Sequence, residues 1–277
     1  MKMARAAEST SNEDECKKFK DTILGGILKY GGIFRGMTYG DYLREWVAWL
    51  HAEEPFYRGY RSEICYLRGN VSYYYDKDTG IRKQAEEFNN NARNKKDKIF
   101  RGAVVWTDTA IFVPVMAAFY SVGERVGYRG GLLQSVAECQ SICRTDINQG
   151  GARWCTLEKK GLPKDCKLDL KDKVFYYEAP SFKLTVTENS PLREHFEQPI
   201  EPGTYDTFTS AYAIMINTSN TSYLPAGEYR LRYGGFGRGS YSDDSVQDFI
   251  VQSDPGWPST SPKDSDVPPD HDGLAEL

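Results

Sequence analysis

Apolar and polar positions alternate with two different periods along this chain. Near the N-terminus Phe19, Ile23, Leu24, Ile27 and Leu28 recur at helical spacing, which predicts an amphipathic helix over residues 14–30. Gly25 and Gly26 interrupt the pattern and Gly31 and Gly32 end it. At about 1 kcal/mol per glycine relative to alanine, such a helix is marginal alone and must dock, on its own core or on another subunit. Residues 1–12 are small and polar and read as a mobile terminus. Over residues 38–50, Tyr39, Tyr42, Leu43, Trp46, Val47 and Leu50 share one helical face. Thr38 and Asp41 stand at capping-box spacing, and Pro55 lies beyond the end. Tyr42 and Trp46 are expected to anchor this helix on a sheet rather than to stack on a ligand.

From about residue 62 the period changes to that of strands. "EICYLRGNVSYYY" and "AVVWTDTAIFVPV" alternate or run apolar over strand lengths, separated by a charged loop near 77–98. "LLQSVAECQSIC" (132–143) reverts to helical spacing. "KVFYYEAP", "FKLTVTE", "AYAIMI", "EYRLRY" and "SVQDFIV" follow as strands, punctuated by "NSP", "QPIEPGTY" and "LPAG". Short strands divided by Pro/Gly turns predict a mainly β protein, an antiparallel β-sandwich of jelly-roll or Ig-like kind decorated by N-terminal helices. The expected domains are an arm with a marginal helix (1–34), the helix-decorated sandwich (35–252) and a disordered, acidic, proline-rich tail (253–277). Within that tail Trp257 is either a docking anchor or a cover for the last strand.

Composition adds partner classes. The chain holds 19 tyrosines among 277 residues, which suits half-buried pleated surfaces and contact-making interfaces. The net charge of −4 gives no bulk footprint for nucleic acid. Arg93, Lys95, Lys96 and Lys98 sit among asparagines and read as a solvated loop. No signal-peptide run and no membrane-length apolar stretch is visible, so a soluble, non-exported chain is expected. In a reducing compartment Cys16, Cys65, Cys139, Cys143, Cys155 and Cys166 are expected mainly as free thiols. A disulfide pair, or zinc on Cys139, Cys143, Cys155 and Cys166, stays open, although no C-x2-C knuckle is present. The sequons at Asn70, Asn217 and Asn220 read as polar loop rather than glycan sites.

Reactive constellations are not apparent. His51, His195 and His271 are expected to be surface or capping residues, with His51 closing the aromatic helix. Glu53, Glu54, Asp108 and Glu188 stand out no more than other acids, and Asp243-Asp244 lacks the alternating acids of a calcium cage. The expectation is a protein that is no enzyme and needs neither cofactor nor metal. The glycines of "LPAGEYRLRYGGFGRGSYSDDSVQDFIV" (224–251) are spaced G-G-x-G-x-G with no helix behind them, so they predict a corner between two strands rather than a phosphate cradle. Tyr229, Leu231 and Tyr233 should share one face of the first strand.

Three stretches, "TYGDYLREWVAWL" (38–50), "TAIFVPV" (109–115) and the hairpin at 224–251, together resemble a family of uncharacterised proteins from environmental bacteria and from marine viruses and phages. Members carry a Tyr-Gly-x-Trp-like helix, an "IFFPV" strand and a closing "LPPGxYxxxxGG" hairpin; here Tyr42 stands where many carry tryptophan. The resemblance carries no catalytic residue across. The family has no established function, and the first of two readings is a virion structural or accessory protein, such as a minor capsid component, assembled in the host cytoplasm and acting through protein–protein contacts or self-association, a reading that the missing signal peptide favours. The alternative is a carbohydrate-binding or glycan-hydrolysing sandwich, or a cytoplasmic location. The candidate interaction residues are Ile23, Leu24, Ile27, Leu28 and Trp257, at the two segments that bury themselves poorly.

Overall fold

The structure is a computed structural model that describes residues 2–51, 64–66, 73–76, 81–84, 103–126, 131–148, 153–188, 190, 201–219, 223–236 and 242–252. The proposed tail with Trp257, the basic cluster Arg93, Lys95, Lys96 and Lys98, Pro55, His195, His271, Glu53, Glu54, Asn70 and Asn220 lie outside the described residues, whereas the loop expected near 77–98 contains a strand at Ile81–Gln84, paired with Tyr73–Asp76. The protein is mainly β. One five-stranded sheet contains β1 (Ile64–Tyr66), β5 (Ala110–Ser121), β12 (Gly203–Ile216), β10 (Phe175–Glu178) and β11 (Phe182–Val186), the last two sharing one flank of the long β12. The other runs in the order β4 (Ala103–Trp106), β14 (Ser242–Gln252), β13 (Gly227–Phe236), β8 (Arg153–Lys159) and β9 (Leu168–Asp169). Two small hairpins, β2 (Tyr73–Asp76) with β3 (Ile81–Gln84) and β6 (Arg125–Val126) with β7 (Gly131–Leu132), complete the strands.

The pairings depart from an all-antiparallel sheet at two edges. β1 lies parallel to β5, with Ile64 opposite Ala110, and β4 lies parallel to β14, with Ala103 opposite Phe249. Parallel neighbours cannot be joined by a tight hairpin, and both pairs are distant in sequence. β4 and β5 are adjacent in sequence yet belong to different sheets, so the chain crosses between sheets at Thr107–Thr109.

One face of the first sheet packs on the second. Ile111, Val113, Val115, Ile214 and Ile216 meet Cys155, Leu157, Tyr229, Leu231, Tyr233, Phe249 and Val251 in a single buried cluster. The expected shared face of Tyr229, Leu231 and Tyr233 is thus the core face. The opposite side of the first sheet is covered as well. There α2 (Tyr39–His51) sets Tyr39, Tyr42, Leu43, Trp46, Val47 and Leu50 against Phe112, Ala211, Ala213 and Met215. α3 (Val136–Asn148) lies instead on the face that meets the second sheet, further along β12, where it sets Cys139, Ile142 and Cys143 against Phe208. A strand covered on both faces needs apolar side chains at every position, hence the unbroken runs "AIFVPVM" and "AYAIMI". Pro114 is accommodated where the β5–β12 register shifts, a bulge that tolerates the missing N–H. Each fully buried large side chain of α2 contributes about 1.5–3 kcal/mol.

The first helix differs most from its sequence reading. α1 spans Lys2–Gly25, so the backbone of the supposed mobile terminus is helical, and the helix stops at the first glycine pair instead of passing through it. Its own core supplies the docking surface: Phe19 and Ile23 are buried in the inter-sheet cluster, with Phe19 6.3 Å from the Tyr229 ring. Cys16 is joined to Cys166 by a disulfide, which corrects the expectation of free thiols at that pair. Cys139, Cys143 and Cys155 are free and buried.

Candidate interaction surface

The segment between α1 and α2 is short, irregular and firmly tied. Gly26 accepts hydrogen bonds at its carbonyl from the Thr218 amide (2.8 Å) and hydroxyl (3.1 Å), and the Leu28 amide donates to Met215 O at 3.0 Å. Phe34 and Met37 exchange two backbone hydrogen bonds of 3.0 Å around Arg35 (φ 48°) and Gly36 (φ 79°). Positive φ at both central residues makes this a two-residue hairpin turn of the I′ kind, where a glycine second position relieves strain. The capping box expected at Thr38 forms: the Asp41 carboxylate accepts from the Thr38 amide at 2.9 Å and hydroxyl at 2.7 Å, and the Thr38 hydroxyl accepts from the Asp41 amide at 3.3 Å. Those bonds hold the Asp41 carboxyl below its usual range.

Two tyrosines of α2 fasten the segment from beneath. The Tyr39 hydroxyl donates to Leu28 O at 2.8 Å and accepts from the Met215 amide at 3.0 Å. Burial pushes that phenol up to about 12, so it stays a neutral donor at any ordinary pH. The Tyr42 hydroxyl donates to Phe34 O at 2.7 Å. Tyr39 also stacks on Tyr177 with centroids 4.0 Å apart, and burial together with that neighbour raises the Tyr177 phenol.

Two large apolar side chains of this segment, and one at the end of α1, face solvent. Leu24 is 42% exposed, Tyr30 67% and Ile33 65%. The Tyr30 ring leans on Phe175 and Tyr177 of β10, with centroids 5.4 and 5.5 Å away. Tyr30 and Ile33 on this ordered segment, with Leu24 at the end of α1, are the candidates for a contact surface. Of the residues singled out from sequence, Ile23 is in the core, Ile27 and Leu28 are half-buried, and Leu24 alone is exposed among the described ones. Tyr30 and Ile33 were not legible, because glycines surround them and no periodicity marks them.

The remaining polar candidates are placed elsewhere. His51 does close α2, but it is buried rather than at the surface, with Nδ1 2.8 Å from Ser190 Oγ and its ring edge-on to Phe119. The Phe119 side of the sheet draws the last helical turn inward. Asp108 and Glu188 are exposed and belong to separate loops. Among the described residues no group of three or more His, Cys, Asp or Glu could hold a metal ion. Burial pushes the Cys139 and Cys155 thiols up to about 12 and Cys143 well above its usual value, so all three stay protonated at neutral pH. Asp243 and Asp244 pair with Gly235 and Gly234 in the β13–β14 ladder. Those two glycines therefore lie in the strand, not in the corner; Gly237 and Gly239 are outside the described residues. Gly235 serves packing, since a Cβ there would collide with Met116 Sδ and come within 3.0 Å of Arg153 Cγ.

No helix among the described residues is long and apolar enough to cross a membrane. Compared with family models, with curated proteins and with solved structures, the chain matches none.

Proposed function

We propose that this protein is a structural or accessory component of a large particle, a virion, and that it acts through protein–protein contacts. The observation that carries the reading is the exposure of Leu24 at the end of α1 and of Tyr30 and Ile33 on the segment that follows, which Tyr39, Tyr42 and the end of β12 pin. The sandwich supplies a rigid platform and α1 an arm rooted in it by Phe19 and Ile23. At about 1.5 Å per residue, a 24-residue helix is long enough to reach a neighbouring subunit. Apolar side chains presented on ordered backbone bind with less loss of conformational freedom than flexible ones, which favours a specific, stable seat in an assembly. Mass spectrometry of purified particles is the test. The protein should appear in fixed proportion to the shell proteins through successive purification steps. Recovery only from the unassembled fraction, or as a glycan-bound species in the supernatant, would overturn the assignment.

A further inference from the structure

One covalent bond joins α1 to the sandwich, and its surroundings carry charge. Cys16 and Cys166, 150 residues apart in sequence, form a disulfide with Cα atoms 5.4 Å apart. Cys166 closes the 3-10 turn Lys164–Cys166 and lines a cleft of about 130 Å³ with Lys159, Lys160, Lys164, Lys167 and Arg230. Three of these cations are matched: Lys160 by Glu228 at 2.6 Å, Lys167 by Glu158 at 3.0 Å and Arg230 by Asp248 at 2.7 Å. Among the described residues no carboxylate pairs with Lys159 or Lys164, so the cleft keeps a positive balance beside the sulfur. Lys20, one helical turn beyond Cys16, donates to Asp165 O at 3.3 Å, which brings its ammonium to the same turn.

We propose that this cleft admits small anionic thiols and that the Cys16–Cys166 disulfide is a latch which they open. The attacking thiolate, seated by Lys159 and Lys164, bonds to Cys166 Sγ; the Cys16–Cys166 bond breaks and its electron pair leaves on Cys16 as a thiolate beside Lys20. A second thiolate attacks the mixed disulfide at the small thiol's own sulfur. This releases the oxidised small disulfide and leaves Cys166 as a thiol, so two external thiols are oxidised for one protein disulfide reduced. Cys166 is 4% exposed, so a small thiol approaches it through the cleft that it lines, and a leaving thiolate stabilised by a nearby cation departs faster.

Opening the latch acts on one part of α1. The buried anchors Phe19 and Ile23 lie C-terminal to Cys16, whereas Asn12, Glu13, Asp14 and Glu15 are exposed. With the bond closed the first tertiary anchor of α1 is Cys16, and with it open the first is Phe19, so the helix before Cys16 loses its fixed root and has too few supported turns behind it to stay helical in water. Reduction therefore frays the arm up to Cys16 and leaves the sandwich folded. This holds whether or not α1 makes assembly contacts.

The test uses the full-length oxidised chain with glutathione as the anionic thiol and cysteamine as the cationic one, at equal thiolate concentrations. Reduction is followed by alkylation and mass, and the arm by hydrogen exchange over residues 2–15. Glutathione should open the bond faster, and the double variant Lys159→Glu/Lys164→Glu should slow it by about tenfold while speeding cysteamine. The reduced protein and the Cys16→Ser variant should both lose protection over residues 2–15, with β5, β12 and β13 unchanged. Equal rates for the two thiols in both proteins would refute the cleft's role, and unchanged protection of the arm would refute the latch.

Discussion

Asn217 is the most demanding single position in the fold. It sits just after β12 with φ 64° and is buried. Its side-chain amide donates to Thr107 O at 2.8 Å and Thr109 O at 2.7 Å, and its oxygen accepts from the Leu224 amide at 2.8 Å. One side chain thus ties the crossing from β4 to β5 to the crossing from β12 to β13. Asn217→Ala leaves two carbonyls and one amide without these partners, at about 1 kcal/mol each or more when buried. It also places alanine in the left-handed region, which costs about 1 kcal/mol that asparagine largely avoids. The expected loss is about 4 kcal/mol, a large share of a typical 5–15 kcal/mol stability. Urea unfolding followed by fluorescence measures it. Asn217→Gly should recover about 1 kcal/mol of the loss by removing the backbone strain. Asn217→Asp should be no better than alanine, because it sets an oxygen against two carbonyls. A change under about 1 kcal/mol for the alanine variant would refute the staple. The same geometry removes Asn217 as a glycan acceptor, since both amide hydrogens are engaged.

Other positions give equally direct expectations. Glu124 is buried in the turn after β5, accepting from the Ser121 amide at 3.0 Å, and burial raises its carboxyl to about 8. The folded protein keeps that proton where the unfolded chain has lost it. Stability is therefore full below about pH 4.5 and falls as pH rises toward 8, by on the order of 5 kcal/mol at most. Glu124→Gln should flatten this slope in urea titrations at several pH values, and an unchanged slope would count against it. Gly235→Ala should cost about 1–3 kcal/mol by pushing Met116 and Arg153 aside. Adding Met116→Ala should make the second change cheaper than it is alone; strict additivity in the double-mutant cycle would contradict the contact. Thr38→Ala should cost about 1 kcal/mol by removing the cap of α2, read from the melting temperature.

The elements with strong periodicity were legible and those defined by partners were not. α2 was readable in full because its six apolar positions, its cap and its burial all agree. β5, β12 and β13 announced themselves by apolar runs or clean alternation, although β12 begins at Gly203, inside a stretch whose prolines and glycine read as a turn. β8 was missed: only Cys155 and Leu157 face the core from a short strand otherwise charged or half-buried, and the cysteine drew attention as a ligand instead. α3 begins at Val136 rather than at residue 132, where Leu132 belongs to a small hairpin. The Cys16–Cys166 bond could not be read from spacing, since it depends on where a docked helix meets a turn 150 residues away. The proposed contact surface was half legible, because Leu24 follows the helical period while Tyr30 and Ile33 stand on irregular backbone held by Tyr39 and Tyr42.

Particle incorporation of the variant Leu24→Ser/Tyr30→Ser/Ile33→Ser is the most direct measurement of the proposed assembly role. All three side chains are exposed, so the variant should fold and melt close to the natural protein. Co-produced with the natural chain carrying a distinguishable tag, it should be depleted from purified particles by about tenfold or more while remaining equally abundant in the unassembled pool. Incorporation at the natural ratio, with folding intact, would contradict assembly through this surface.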